Sequence, residues 1–370
     1  MKRRVFLRSG IKAAALYGAV RMSAESESMH RLHAAEVPGP EPAPKIKIGQ
    51  IGTAHSHAAG KLDAVRKANS LFEVVGVVEP DNVRRDRAAK SASYAGMRWL
   101  DEEELLATPD LQAVVVETAL ADSAPTASRV IASGKHIHLD KPGAVDHEQF
   151  KQLRFAAERS GLVVQMGYML RYNPAFVVLF QAAREGAFGE ILEIDCAMGK
   201  LADDRLRNEL ADIPGHGMFE LACHIIDATV TLLGKPERVH AFGKASRSEV
   251  PVVDDNQLAV LEYSRAVATV RCNHADPFGG PHRMFRVVGT KGAMEITPLE
   301  SGKGRLMLTA AWSDFKKGEQ QFVLPMAGGR YDAEFADLSR VIRGEKKLAW
   351  DAAHDVAVHE TVLRAAGIWN

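Results

Sequence analysis

The sequence predicts an α/β chain: an N-terminal parallel sheet wound with helices, then a second α+β domain on a large, mostly antiparallel open sheet. Three observations predict it. From Lys45 to about Gly167, short apolar runs flanked by turn residues alternate with helical stretches, the pattern of strands buried on both faces and joined by helical crossovers. Beyond Gly167 strand-like runs follow one another directly, several alternating polar and apolar residues, with turns such as "GTKGA" between them, which suits antiparallel pairing with one face covered. The chain of 370 residues is also long enough for two sizeable cores.

In the first half "IKIGQIG" reads as a strand and "HAAGKLDAVRKAN" as a helix. "FEVVGVVEP" and "DNVRRDRAAKSA", "LQAVVVET" and "APTASRVIASG", then "KHIHLDKP" and "DHEQFKQLRFAAERSG" repeat the unit, and "LVVQMGY" adds a fifth strand. In the second half "NPAFVVLFQAAREGAFG" reads as a helix with Pro174 near its start, and "EILEIDCAMG" as a strand. "GHGMFELACHIIDATVTLLG" has the length and apolar spacing of one continuous helix ending at Gly234. Seven strand-like runs follow, from "ERVHAFGKA" to "QQFVLP", and two helical runs close the chain.

Lys+Arg and Asp+Glu are both 47, so the formal net charge is zero. That argues against general attraction to nucleic acid or anionic membrane, which needs a basic surface. The three cysteines, Cys196, Cys223 and Cys272, form neither a disulfide framework nor a C-x-x-C pair. Near the start, Lys2, Arg3 and Arg4 precede Phe6 and Leu7, and a mild apolar run covers residues 13–20. This is similar to a twin-arginine export signal, which implies a periplasmic address; a basic, helix-prone tail is the alternative. The apolar run is far below the ~20 residues of a permanent span. Residues 21–44 are polar, then proline-rich, and read as a linker.

The stretch "IGQIGTAHSHAAGK" carries the first chemistry. A dinucleotide turn needs one glycine for the bend, a second for close approach of the pyrophosphate, and a small residue where helix meets strand. Gly52 suits the first role. Ala54 stands at the second position and His57 at the third, where a large side chain must point away or pry the helix off the strand. The helix N-terminus still offers amides and a positive dipole end to an anion. Glu79 closes the second strand, where a carboxylate hydrogen-bonds ribose hydroxyls and repels a 2′-phosphate.

The ordered set of this turn, "GKHIHLDKPGA", "GYMLRYNPAF" and "GHGMFELACHIIDATVTLLG" resembles the Gfo/Idh/MocA oxidoreductases over residues 45–370. "DKP" looks like that family's E/D-K-P signature, and "ELACH" like its D-x-x-x-H signature with Glu220 in the aspartate place. The third-strand loop "ETALADSAP" keeps Thr118 but departs from the family's T-P-N-x-x-H-like stretch at Ala119, Leu120 and Ser123. The resemblance implies residues 1–44 as signal and linker, 45–167 as a dinucleotide-binding Rossmann domain, and 168–370 as a substrate and association domain. It implies NAD as cofactor, a small carbohydrate or polyol substrate, and a homo-oligomer formed through the second sheet.

On that resemblance, Gly52, Thr53, Ala54, His55, His57, Glu79, Thr118, Asp140 and Lys141 are expected at the cofactor. Lys141, beyond the carboxyl end of a parallel strand, is expected to hydrogen-bond the reacting hydroxyl, with its pKa lowered by partial burial. Glu220 and His224, four apart, share one helix face in this reading; His224 takes the hydroxyl proton while Glu220 orients it and raises its pKa, and a structural hydrogen bond is the alternative. Arg171, Tyr172 and His216 are expected at the sugar. No metal is assigned, although His55, His57, His138, His216 and His224 gather near the expected crevice. The function expected is NAD-dependent oxidation of a sugar, glycoside or polyol hydroxyl. A lyase or hydratase on a 3-keto-sugar or glycoside, using the same acid–base pair, with or without help from a metal ion and without net redox, is the alternative.

Overall fold

The computed structural model describes residues 43–326 and 328–369. The twin-arginine-like segment and nearly all of the linker lie outside the described residues. Six strands form the first sheet: β1 (Ile46–Ile51), β2 (Phe72–Val78), β3 (Trp99–Leu100), β4 (Leu111–Val116), β5 (His136–Leu139) and β6 (Val164–Met166). Their order is β3-β2-β1-β4-β5-β6, and every pairing is parallel. The order reverses at β1, so the crevice beyond the carboxyl ends of β1 and β4 is the switch point where an open α/β sheet takes its ligand. The short edge strand β3 and the helix Glu102–Leu106, closed by an Asp101–Glu104 capping box, are additions to the expected elements.

The second sheet has eight strands: β7 (Ile191–Gly199), β8 (Arg238–Lys244), β9 (Asn256–Glu262), β10 (Val267–Asn273), β11 (Met284–Gly289), β12 (Gly292–Ile296), β13 (Lys303–Leu308) and β14 (Gly318–Val323). They run in the order β14-β13-β12-β11-β7-β10-β9-β8. Only β7–β10 is parallel among these pairings. The mostly antiparallel sheet expected from polar–apolar alternation is therefore present, with β9 as its plainest case: Leu258 and Val260 are half-buried while Gln257, Ala259 and Leu261 are buried.

Lys45–Asn370 behaves as one compact unit. A shared apolar core runs from Val114 and Leu139 of the first sheet through Phe176, Phe219 and Ile225 to Val270 and Phe285 of the second. The chain also returns to its beginning. Tyr331 and, on the helix Asp332–Ile342, Phe335 and Leu338 pack with Ile46, Ile48, Val65 and Val115. Among the described residues no helix is long and apolar enough to cross a membrane. The three cysteines are free and buried.

The expected single helix over "GHGMFELACHIIDATVTLLG" is two: His216–Glu220 and Cys223–Leu233. The cause is an intruding cation. Lys141 Nζ donates to the Glu220 carbonyl oxygen at 2.6 Å, taking the acceptor that the His224 N–H would use in a continuous helix. That N–H instead reaches Leu221 O at 3.5 Å.

Candidate functional site

The turn after β1 has the strained geometry its first glycine predicts. Gly52 sits at φ +92°, and a Cβ there would come 2.6 Å from the Thr118 amide nitrogen, so β1 and β4 approach too closely for any side chain. The helix Ala58–Lys67 follows, with His57 at its N-cap. The bulky third position is resolved by rotation rather than by prying. Ala58 is the residue buried at the helix start, and the His57 ring turns out beside His55, with ring centroids 4.7 Å apart.

Both rings aim at one oxygen. His55 Nδ1 and His57 Nδ1 each lie 3.1 Å from Asp140 Oδ2. From beneath, the fully buried Lys61 donates to the same oxygen at 2.8 Å and to His138 Nε2 at 2.7 Å. His138 passes its Nδ1–H to Gln165 Oε1 at 2.9 Å. Glu117 lies beside this group, fully buried, its Oε2 3.4 Å from His55 Nδ1, and neither of its oxygens has a hydrogen-bond partner of good geometry. Lys61, Glu117 and Gln165 carry no local motif, and no pattern in the sequence marks them.

Charge sorts these groups. Burial works against an ionised His55, but Asp140 and Glu117 outweigh it and lift its pKa to about 9. For His57 burial prevails over Asp140 and the pKa falls to about 4. Burial and the Lys61 ammonium take His138 down to about 3. Burial disfavours the Lys61 ammonium, yet Asp140, Glu117 and Glu334 hold it above the ordinary lysine range.

The second group stands at the next residue. Lys141, 2 % exposed, donates to Glu220 Oε1 at 3.2 Å as well as to the carbonyl. The expected lowering of its pKa is overturned: burial does press downward, but the Glu220 carboxylate outweighs it and keeps Lys141 above the usual lysine range. Burial presses Glu220 upward, and Lys141 and Lys200 together pull it well below the usual carboxylate range. His224 is also unlike its expectation. It lies on the second helix piece, and its pKa falls well below that of free imidazole, first through burial and then through Lys141, His57 and Arg330. Glu220 is therefore the partner of Lys141 and not the group that charges His224.

Unused polar atoms collect here. Thr118 Oγ1, Glu220 Oε2, His224 Nδ1 and His274 Nε2 are buried without a hydrogen-bond partner. His274 comes close because Gly217 leaves room: any Cβ at Gly217 would collide with its ring. Burial and Lys200 lower its pKa to about 4. Buried polar atoms are normally satisfied, and these four, around Lys141 and the glycine turn, are available to polar groups of a ligand.

The residues expected at the cofactor fit it unevenly. The Gly52 bend and the orphaned Thr118 Oγ1 suit a nucleotide lying across the switch point. Glu79 is already engaged: Oε2 accepts from Thr53 N at 2.8 Å and Thr53 Oγ1 at 2.7 Å, and Oε1 from Asp81 N at 3.1 Å and Arg84 Nε at 3.2 Å. A carboxylate has about four acceptor positions, so a ribose diol there must replace one of these donors. Ala54 is exposed at the turn.

The residues expected at the sugar lie elsewhere. Arg171, 2 % exposed, donates through Nε to Asp227 Oδ2 at 3.0 Å and through Nη2 to Asp227 Oδ1 and Asp355 Oδ1, both at 2.6 Å. Tyr172 accepts from Gln165 Nε2 at 2.9 Å. Both line a cavity of about 1000 Å³ with Phe180, Trp350 and His354. His216 stands at the start of its short helix and accepts from Asp254 N at 3.2 Å.

Comparison with known proteins agrees with the fold. Residues 46–168 match the model of an oxidoreductase family with an NAD-binding Rossmann fold, and residues 176–295 match the Gfo/Idh/MocA C-terminal domain. An uncharacterized oxidoreductase of Schizosaccharomyces pombe is 25 % identical over 258 residues, 68 % of this chain and 70 % of that one. An inositol 2-dehydrogenase of Serratia proteamaculans is 30 % identical over 156 residues, 41 % of this chain and 45 % of the relative. The solved structure of a UDP-N-acetylglucosamine 3-dehydrogenase from Acidithiobacillus ferrooxidans superposes with a TM-score of 0.72 at 20 % identity, covering 88 % of this chain and 98 % of that one. With the Rossmann sheet, the open second sheet and the lysine-bearing strand end all in place, this chain belongs to the Gfo/Idh/MocA family of NAD(P)-binding oxidoreductases.

Proposed function

We propose that the protein oxidises a carbinol carbon of a sugar, glycoside or polyol with NAD. The observation that carries this reading is the Lys141–Glu220–His224 group, whose Glu220 Oε2 and His224 Nδ1 are buried without a hydrogen-bond partner, Glu220 Oε2 having only Lys200 at 3.9 Å. Lys141 is held as an ammonium by Glu220, so it donates to the substrate oxygen and stabilises developing alkoxide charge. His224 is neutral, so it accepts the hydroxyl proton. When bound, the nicotinamide supplies the hydride acceptor, and carbinol becomes carbonyl as one proton and one hydride depart. Gly52, Thr53, Ala54, Glu79 and Thr118 are assigned to hold that cofactor.

The twin-arginine-like start supports an exported, periplasmic protein that carries its cofactor folded inside. A turnover that oxidises and re-reduces within one binding event suits that setting, since it needs no external nicotinamide pool. The second sheet is proposed as the surface through which copies of the chain associate.

A second reading rests on Glu79, whose acceptor positions are filled by the protein itself. On it, the same acid–base pair removes the acidified proton beside the ketone of a 3-keto-sugar and expels a leaving group, without net redox. Purifying the protein without added nucleotide, denaturing it and assaying the supernatant for NAD(H) separates the two. Nucleotide at one per chain, with polyol-dependent reduction, supports oxidation. No nucleotide, and no binding on titration with NAD or NADP, refutes it in favour of elimination.

A further inference from the structure

We propose that His55, His57 and Asp140 form a binding site for a divalent transition-metal ion of the zinc type, with an open coordination position facing the crevice. The three residues offer one ligand atom each, and these atoms all lie within 4.8 Å of one another. Each imidazole Nδ1 is 3.1 Å from Asp140 Oδ2. A tetrahedral ion with bonds of about 2.0–2.1 Å spaces its ligand atoms about 3.3 Å apart, so two of the three edges are nearly at coordination distance already. Two imidazoles and one carboxylate form a donor set used by catalytic zinc and non-haem iron, with positions left for water or substrate.

Two neighbouring groups bear on such an ion. Glu117, fully buried, has Oε2 3.4 Å from His55 Nδ1 and Oε1 3.6 Å from Lys61 Nζ, with no hydrogen bond of good geometry to either oxygen; it is placed to become a fourth ligand or to accept a proton from metal-bound water. Lys61 grips Asp140 Oδ2 at 2.8 Å from the interior side, orienting the carboxylate as an outer partner does. Its charge opposes a second cation, which selects an ion that bonds well to imidazole nitrogen over one that relies on carboxylate charge alone, such as Mg²⁺. The histidine side chains are 19 % and 16 % exposed, so an ion can enter and a substrate oxygen can reach it. The crevice is shared with the acid–base group, since His57 and Lys141 lie close enough to act on each other's charge.

The test uses the full chain, dialysed against chelator, with metal binding followed by calorimetry and by the visible absorption of added Co²⁺. It needs neither turnover nor nicotinamide, so its outcome is independent of the proposed oxidation. The expected result is one Zn²⁺ or Co²⁺ per chain, a four- or five-coordinate Co²⁺ spectrum, and no measurable Mg²⁺ binding. His57→Ala, His57→Gln and His55→Ala should each weaken binding by more than the ~10–100-fold that loss of an outer partner costs, with circular dichroism unchanged. His282→Ala, at an exposed histidine paired with Asp276, should leave binding as it is. Failure to bind Zn²⁺ or Co²⁺, binding that survives His57→Gln, or a six-coordinate aqua-like Co²⁺ spectrum each overturns the proposal.

Discussion

Two buried charge clusters teach different lessons. Around Arg171 the guanidinium is clasped by Asp227 and Asp355, with Arg154 on the far oxygen of Asp355 at 2.6 Å and His354 on Asp227 at 3.3 Å. The Arg171 guanidinium also stacks over the rings of Tyr168 and Trp350, at 4.9 and 4.7 Å from their centroids. Asp355 Oδ2 and Arg154 Nε lack a hydrogen bond of good geometry, but the two side chains are ion-paired at 2.6 Å; around Lys141, by contrast, Glu220 Oε2 has only Lys200 at 3.9 Å and His224 Nδ1 has no hydrogen-bond partner. The first cluster spends its ionised groups on holding segments together. The second keeps polar atoms in reserve, at a cost to stability that only a ligand repays.

Substitutions should break the two clusters in opposite ways. Lys141→Ala should lower kcat by ~10²–10³-fold, the cost of one positioned donor to an oxyanion; a steady-state assay with a polyol panel that finds near-full kcat would refute the role given to it. Arg171→Ala strands two buried carboxylates and should cost about 3–5 kcal/mol of stability, read as a fall in the denaturant midpoint, while kcat per folded molecule stays within a few-fold. His224→Gln should cost ~10²-fold or more in kcat with little change in midpoint. If Arg171 and Lys141 variants instead lost activity and stability in the same proportion, the distinction drawn between the clusters would be wrong.

A milder effect comes from pH. His359 and His274 are buried and held neutral, burial being the main cause, with pKa values of about 4 against 6.5 for the free side chain. Between those values the unfolded chain binds more protons, so stability is complete above pH 6.5 and falls as pH drops toward 4. Thermal unfolding should record that loss, and His359→Gln should lessen it; a melting temperature level from pH 7 to 5 would contradict the assignment. The smallest effect is at Arg84, 40 % exposed beside Glu79. Arg84→Ala removes a screened cation near the expected 2′-hydroxyl and should raise the preference for NAD over NADP by about 2- to 5-fold in KM ratios.

Much of this was legible in the sequence, and the rest was not for identifiable reasons. The succession of strands and the type of each sheet follow from local period and turn chemistry, which "LQAVVVET" and "DNQLAVLEYS" carry within themselves. Lys141 was legible because its position at a strand end has a meaning of its own. The break between Glu220 and Cys223 was not, because Leu221 and Ala222 are ordinary helix residues and the cause lies 79 positions away in the Lys141 ammonium. The same contact reversed the expected charge logic of Lys141 and His224. Arg171 read as a sugar contact because the sequence places it beside "YNP" but says nothing of Asp227 and Asp355, 56 and 184 positions on.

The return of Tyr331 and the helix Asp332–Ile342 to the first sheet has a consequence for how the molecule is made. A ribosome delivers β1 long before Phe335 and Leu338, which cover Ile46, Ile48 and Val115. Until those late residues emerge, the earliest strand has an uncovered apolar face, so the nucleotide-binding half cannot finish folding during its own synthesis. Completion of the crevice is thereby tied to completion of the chain: a prematurely terminated product has no finished site with which to sequester a nucleotide.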